Sequence, residues 1–260
     1  LSSNANNVLF KVVIPARFAS TRLPGKPLLD IAGKPMVIRV AERAMLSGAR
    51  EVIVATDDER IYETVQQHGF DVLITQAHHQ SGTDRIAEVA EIMAWQDDEI
   101  VVNVQGDEPL INPATIYQVA QKLAVDQEAV MSTACFPIES PEDFFNPNVV
   151  KVVLNAHSQA LYFSRAPIPY PRDSLVGGEL KKGGQLKALR HIGLYAYRAS
   201  FLKKYAALDL SNIEEIESLE QLRVLHHGYK IAVDVLHSQP PMGVDTQEDL
   251  EKVRSLLTPT

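Results

Sequence analysis

A chain of 260 residues, 45% of them hydrophobic, can bury a sizeable core in one large domain or in a domain with a subdomain. Its formal net charge of -8 leaves no basic excess to displace many counterions, which argues against a general nucleic-acid binder and confines any anion site to a local basic pocket. The single cysteine, Cys135, rules out an intramolecular disulfide and fits a reducing cytoplasm; no apolar stretch approaches the roughly 20 residues of a membrane span, and the first residues lack a signal-peptide pattern.

Residues 1–7 are small and polar and read as an expression remnant or a frayed terminus, outside the fold. The apolar run Val8 to Ile14 predicts a strand, and Pro15, which cannot donate a ladder hydrogen bond, predicts that the chain leaves the sheet there. The segment Ile14 to Lys26 then packs Arg17, Arg22 and Lys26 with Ser20, Thr21 and two prolines into a stretch with neither helical nor strand period. Such a loop, at a strand's C-terminal end in an open α/β sheet, stands where ligands bind, and its cations, hydroxyls and N–H groups suit a triphosphate. Gly25 is its one glycine, so neither GxxxxGK[ST] nor GxGxxG is met, and a standard ATPase or dehydrogenase is disfavoured. An ordinary solvated basic loop accounts for the same charges about equally well.

Strands are predicted next at Glu51 to Thr56, Asp71 to Ile74, Ile100 to Val104 and Ala129 to Ala134, with helices between them at Met36 to Ser47, Glu59 to His68, Thr83 to Trp95 and Pro113 to Val125. This alternation is the pattern of an α/β fold, a mostly parallel sheet with helices on both faces. Right-handed crossovers place the loops after these strands along one rim. In the second half, Val149 to Leu154, Ala160 to Phe163, Arg190 to Arg198 and Lys230 to Val235 predict strands, and Ile213 to His226 and Thr246 to Leu257 predict helices. Ser164 to Gly184, rich in proline, glycine and charge, reads as a flap, a partner-binding arm or a mobile loop. The whole reads as one domain, 8–260, whose second half completes the sheet and supplies a lid.

Asp107, just after a strand and before Pro109, is placed to hold Mg2+ beside a phosphate loop. Asp245 is a second candidate, although its position before Thr246 favours an N-cap of the last helix. Ser81 to Arg85 reads as a turn into a helix with Ser81 or Thr83 as cap; a cation in the first turn opposes the helix dipole, so Arg85 is expected to answer a ligand. On the helix Ile213 to His226, Ile213, Ile216, Leu219, Leu222 and Leu225 form a core stripe, while Glu217, Glu220, Gln221 and Val224 share another face, solvated by default or recognising hydroxyls. His191 and Tyr195 are expected on the same side of their strand, binding a sugar or satisfying one another. Arg165 opens the irregular region and suits a carboxylate, of a ligand or of a neighbouring side chain. The histidines show no convincing metal-ligand spacing, and zinc is not expected.

Taken together, IPARFASTRLPGKPL, VATDDERI, HQSGTDRIAEV, VNVQGDEPLI, FNPNVVKVVL, ALYFSRAPIP, RHIGLYAYR, IESLEQLRVLHHG and GVDTQEDLEKVR, spread from about residue 8 to the end, closely resemble the sugar cytidylyltransferases. The loop at Arg17 to Lys26 is shared with enzymes of N-acylneuraminate, but the stretches around Gln105, Arg165, His191 and Glu220 favour 3-deoxy-D-manno-octulosonate (Kdo). The resemblance implies a Rossmann-like nucleotidyltransferase sheet with a lid and dimerisation subdomain, residues 8–135 serving the nucleotide and about 150–235 the sugar and the dimer. It implies a cytoplasmic homodimer with CTP and Kdo as substrates, making CMP-Kdo and pyrophosphate for lipopolysaccharide biosynthesis. By position, Arg17, Ser20, Lys26 and Arg85 would bind the nucleotide. Asp107 and Asp245 would hold Mg2+, one ion bridging phosphates and a second lowering the pKa of the attacking hydroxyl. Gln105, Arg165, His191, Tyr195, Glu220 and Gln221 would line the sugar site.

Overall fold

The structure, a computed structural model, describes residues 8–19, 23–79, 81–176, 179–180 and 186–257. The first half runs β1 (Phe10–Ala16), a 3-10 turn (Lys26–Leu28), the short pair β2 (Asp30–Ile31) and β3 (Lys34–Pro35), α1 (Met36–Met45), β4 (Glu51–Thr56), α2 (Glu59–Gln67), β5 (Asp71–Ile74), α3 (Gly82–Ile92), β6 (Ile100–Asn103), α4 (Pro113–Val125) and β7 (Ala129–Pro137). The second half runs α5 (Pro141–Phe145), β8 (Lys151–Leu154), β9 (Ala160–Ser164), β10 (Leu175–Val176), β11 (Glu179–Leu180), β12 (Leu189–Arg198), α6 (Ala199–Tyr205), α7 (Asn212–Glu217), α8 (Gln221–His226), β13 (Lys230–Val235) and α9 (Gln247–Leu257).

The main sheet has the order β13-β7-β12-β6-β1-β4-β5, with β8 joined to β12 and β9 to β8. β1 pairs parallel with both β4 and β6, β4 with β5, and β13 with β7, whereas β12 lies antiparallel between β6 and β7. The α/β expectation is therefore met, with one long antiparallel strand inserted. Successive strands β1, β4 and β5 step one way and β6 lies on the other side of β1, which opens a crevice at the C-terminal ends of β1 and β6. Helices cover both faces: one apolar cluster joins Val12 and Ile14 to Val40 of α1, Val65 of α2 and Val119 of α4, and another joins Val13 to Val89 of α3, Phe201 of α6 and Leu222 of α8. Residues of β1 on both faces are buried, which is why its sequence from Val12 to Ala16 is apolar rather than alternating. A third cluster, Leu23, Ile31, Met36, Val244, Leu250 and Val253, seats α9 on β2 and the start of α1. That contact returns the end of the chain to the first loop.

Two predicted elements differ. β1 does not end at Pro15: it continues to Ala16, with Pro15 opposite Ala55 of β4. Val104 donates to the carbonyl of Val13 on the β6 side, and Pro15, two residues on, faces the same way after β6 has ended at Asn103, so its missing N–H interrupts no ladder. The predicted helix Ile213 to His226 is two helices, broken by Ser218 in the left-handed region (φ 51°, ψ 51°). The break undoes the single-helix stripe, leaving Ile216 82% exposed while Leu219, Leu222 and Val224 are buried. The short α5 and α6 carry too few turns for a periodic signal.

Candidate active site

Lys26 follows Gly25, which adopts the left-handed region (φ 67°) to start the 3-10 turn, and the ring of Phe18 leaves little room for a side chain at that glycine. The turn aims Lys26 across the crevice. Its Nζ donates to Asp107 Oδ2 at 2.7 Å, to the Val244 carbonyl at 2.8 Å and to Asp245 Oδ1 at 3.3 Å. Three expected site residues thus meet at one point, Asp107 and Asp245 lying 81 and 219 positions from Lys26 along the chain.

Two close backbone approaches make the meeting possible. A Cβ on Gly106 would stand 2.8 Å from the Pro15 carbonyl oxygen, so this glycine lets the turn after β6 lie against the end of β1. A Cβ on Gly243 would stand 2.8 Å from Glu108 Oε1 and 3.3 Å from the Asp107 carbonyl oxygen, and Val244 N donates to that same carbonyl at 2.8 Å. The N-cap expected of Asp245 falls instead to Thr246: its hydroxyl accepts from Asp249 N at 3.2 Å, and the Asp249 carboxylate accepts from Thr246 N at 3.0 Å. Asp245 is thereby left to face Lys26.

Glu108 joins this group and was not anticipated. Burial, reinforced by the charges of Asp107 and Asp245, pushes its carboxyl up to about 7. The sequence signal was present, since an acidic pair after an apolar strand cannot be fully solvated in a crevice, but it pointed to Asp107 alone. Beside the group lies a cavity of about 400 Å3 lined by Gln105, Glu108, Arg190, His191 and Asp245, among others. Gln105 Nε2 donates to Asn103 Oδ1 at 3.4 Å. Arg190, a second unanticipated residue, lies over the Phe136 ring with its guanidinium 5.7 Å from the ring centre. Arg17 is half-buried just beyond β1. Ser20, with Thr21 and Arg22, lies outside the described residues.

His191 and Tyr195 do share a side of β12, their ring centres 5.4 Å apart, even though the β7 register shifts between Ile192 and Tyr195. His191 Nε2 is 3.0 Å from Thr133 Oγ1 and its ring meets Phe163 edge-on, and desolvation holds its pKa down at about 3. The ring is neutral at pH 7. Tyr195 and Tyr197 lead on to Thr83, whose hydroxyl is 3.2 Å from the Tyr197 hydroxyl and donates to Glu220 Oε1 at 3.4 Å. Burial raises the Glu220 pKa. Gln221 is 2% exposed, and its Nε2 has no partner among the described residues. A buried donor left unpaired is costly.

Arg85 and Arg165 differ from expectation in what they touch. Arg85 is fully buried, donating to Asp57 Oδ2 at 3.0 Å and to the Thr75 hydroxyl, so protein groups answer its charge. It braces the loop after β4 against α3. Arg165 donates through Nε to the Glu217 carbonyl at 2.6 Å, through Nη1 to Pro147 O at 3.0 Å and through Nη2 to Ser218 O at 3.4 Å. Its main chain is clamped too: Glu217 Oε2 accepts from Arg165 N at 2.9 Å, and the buried Lys151 donates to Arg165 O at 2.7 Å.

Residues 11–231 match the family model described as Cytidylyltransferase. The fold matches the solved structure of CMP:2-keto-3-deoxy-manno-octonic acid synthetase complexed with CTP, with a TM-score of 0.86 and 45% identity over 96% of this chain and 98% of that one. It also matches a cytidylyltransferase from Leptospira borgpetersenii serovar Hardjo-bovis (strain JB197), with a TM-score of 0.61 and 19% identity over 95% of this chain and 86% of that one, a likeness of fold alone.

Proposed function

Because the chain belongs to the cytidylyltransferase family, we propose that it transfers CMP from CTP to the anomeric hydroxyl of Kdo, giving CMP-Kdo and releasing pyrophosphate. The observation that carries this reading is the 45% identity, over nearly the full length of both chains, to a synthetase named for that sugar acid and solved with CTP.

The hydroxyl oxygen attacks the α-phosphorus, the bond to the bridging oxygen of pyrophosphate breaks, and the hydroxyl proton is released. Such a step depends on alignment and on neutralising phosphate charge. Arg17 and Lys26 grip the triphosphate, Ser20 assists, and Arg85, itself buried, serves the nucleotide through the loop it braces. Gln105 and His191 face the sugar from the cavity, while Tyr195, Glu220 and Gln221 present hydroxyl, carboxyl and amide to its hydroxyl groups. Neutral His191 serves as a hydrogen-bonding group rather than a cation. Arg165, held at both ends of its peptide, offers its remaining donors to the sugar's carboxylate.

The residues fit a divalent cation. Asp107 and Asp245 gather at one ammonium, and Mg2+ characteristically takes one or two carboxylates together with phosphate oxygens and water. Bound there, Mg2+ would neutralise phosphate charge and lower the pKa of the attacking hydroxyl. Residues 8–135 form the nucleotide part and about 150–235 the sugar part, with the segment after Ser164 as an arm between two copies in a homodimer. No described helix is long and apolar enough to cross a membrane. Cys135 is buried with its thiol pushed up to about 12, an inert group that suits a cytoplasmic enzyme.

Pyrophosphate release from CTP, followed separately with Kdo and with N-acetylneuraminate in the presence of Mg2+, tests the reading. Turnover with Kdo alone is expected. Turnover only with N-acetylneuraminate would reassign the sugar, and CTP binding without turnover on either would make the chain a nucleotide-binding protein rather than an enzyme.

A further inference from the structure

The Lys26 ammonium contacts both carboxylates assigned to the metal and the Val244 carbonyl between them, and its side chain is only 14% exposed. Two cations cannot share that position. A Mg2+ ion held by these two carboxylates, at about 2.1 Å from oxygen, would compete for them with an ammonium already 2.7 Å from Asp107 Oδ2 and 3.3 Å from Asp245 Oδ1, and the two like charges would repel. The protein also offers few ligands of its own: among the described residues no group of three or more His, Cys, Asp and Glu side chains is arranged to hold a metal. Water or phosphate must complete an octahedral shell.

We propose that Lys26 is the built-in counter-ion of the Asp107 and Asp245 pair, and that the chain admits a divalent cation only as a chelate with its nucleotide triphosphate. The triphosphate would draw the ammonium off the carboxylates and onto its own oxygens, leaving Asp107 and Asp245 to hold the cation that comes with it. Lys26 thus has two partners in turn, and the free metal ion is the ligand it excludes. This rests on Asp107 and Asp245 being the metal's ligands, as proposed above.

The test is a titration with Mn2+, following free Mn2+ by electron paramagnetic resonance, with and without a non-hydrolysable CTP analogue carrying a methylene bridge between the α- and β-phosphorus. Wild type, Lys26→Met, Lys26→Arg, Asp107→Asn and the double variant Lys26→Met with Asp107→Asn are compared, the last giving the background from surface carboxylates. Circular dichroism melting confirms that each is folded. Without nucleotide, Lys26→Met is expected to bind Mn2+ at least tenfold more tightly than wild type, while Lys26→Arg, which keeps a cation in place, remains weak; with the analogue, wild type gains a site that Asp107→Asn loses. Equal Mn2+ affinity of wild type and Lys26→Met without nucleotide overturns the exclusion, and leaves the metal assignment standing if the analogue-dependent site is still lost in Asp107→Asn. Absence of that site in wild type overturns the metal assignment itself.

Discussion

Asp107, Glu108 and Asp245 place three carboxyl groups around one lysine, and their roles separate by environment. Asp107 and Asp245 both reach Lys26, whereas Glu108 is held against Gly243 in the cavity wall. We expect Asp107→Asn and Asp245→Asn each to lower kcat by about 10²-fold or more, the scale of losing one preorganised electrostatic group, with melting temperatures close to wild type; near-normal rates at saturating Mg2+ would remove that residue from the metal's ligands. Glu108 carries a linkage prediction of opposite sign to the usual carboxylate. Its pKa rises on folding from the ordinary glutamate value of 4.5 to about 7, so between those values the folded chain binds more protons than the unfolded one and stability falls as pH rises. The cost is complete above pH 7 and absent below pH 4.5. Glu108→Gln should therefore stabilise the protein by on the order of 1–3 kcal/mol at pH 8 and change little at pH 4, as measured by denaturant unfolding at the two pH values.

Elements decide how those residues meet. Adding a methyl group at Gly106 must push apart the ends of β1 and β6, because the atom it meets is a backbone oxygen that cannot rotate away. Gly106→Ala should cost about 1–3 kcal/mol, the usual scale of overpacking, and lower turnover more than the stability loss explains, since Asp107 moves with the turn. Equal kcat for variant and wild type would show that the turn tolerates the shift. The break at Ser218 matters in the same way. It turns Glu217 toward Ser164 and Arg165 while Glu220 turns toward Thr83, and Arg223 spans the break by two hydrogen bonds to Glu214 at 2.8 and 2.6 Å. One unbroken helix would have set Glu217 and Glu220 on a common face. Glu220→Ala should raise KM for Kdo by about tenfold, the cost of about one charged hydrogen bond, with KM for CTP nearly unchanged; an equal rise in both would make Glu220 structural.

Across the molecule, the antiparallel β12 carries His191 and Tyr195 between two parallel regions, and so places the sugar-side residues next to the switch point where the nucleotide loop sits. The first half was largely legible because each main-sheet strand there is a mainly apolar run of four or more residues alternating with helices, and burial on both faces of β1, β4 and β6 fixes those runs as strand. The predicted bounds of β4, β5, α4 and β13 coincide with those observed. The second half was less so, because its helices are short and their ends are set by capping and ion pairs rather than by period. At this scale the homodimer is the outstanding expectation, and light scattering coupled to size-exclusion chromatography should give the mass of two chains; a single-chain mass at micromolar concentration would reject it.

The sequence by itself determined the α/β alternation, the basic loop at Arg17 to Lys26, the acidic turn at Asp107 and the shared side of His191 and Tyr195. These are properties of local composition and period, which act within a few residues. Only the tertiary structure decided that Lys26 meets Asp107 and Asp245, that Thr246 caps α9 in place of Asp245, that Arg85 is answered by Asp57, and that Glu108 and Arg190 belong to the cavity. Each of these follows from which backbones approach closely enough to touch. That is fixed by the packing of α9 on β2 and by glycines at 106 and 243, over separations in sequence that no local pattern spans.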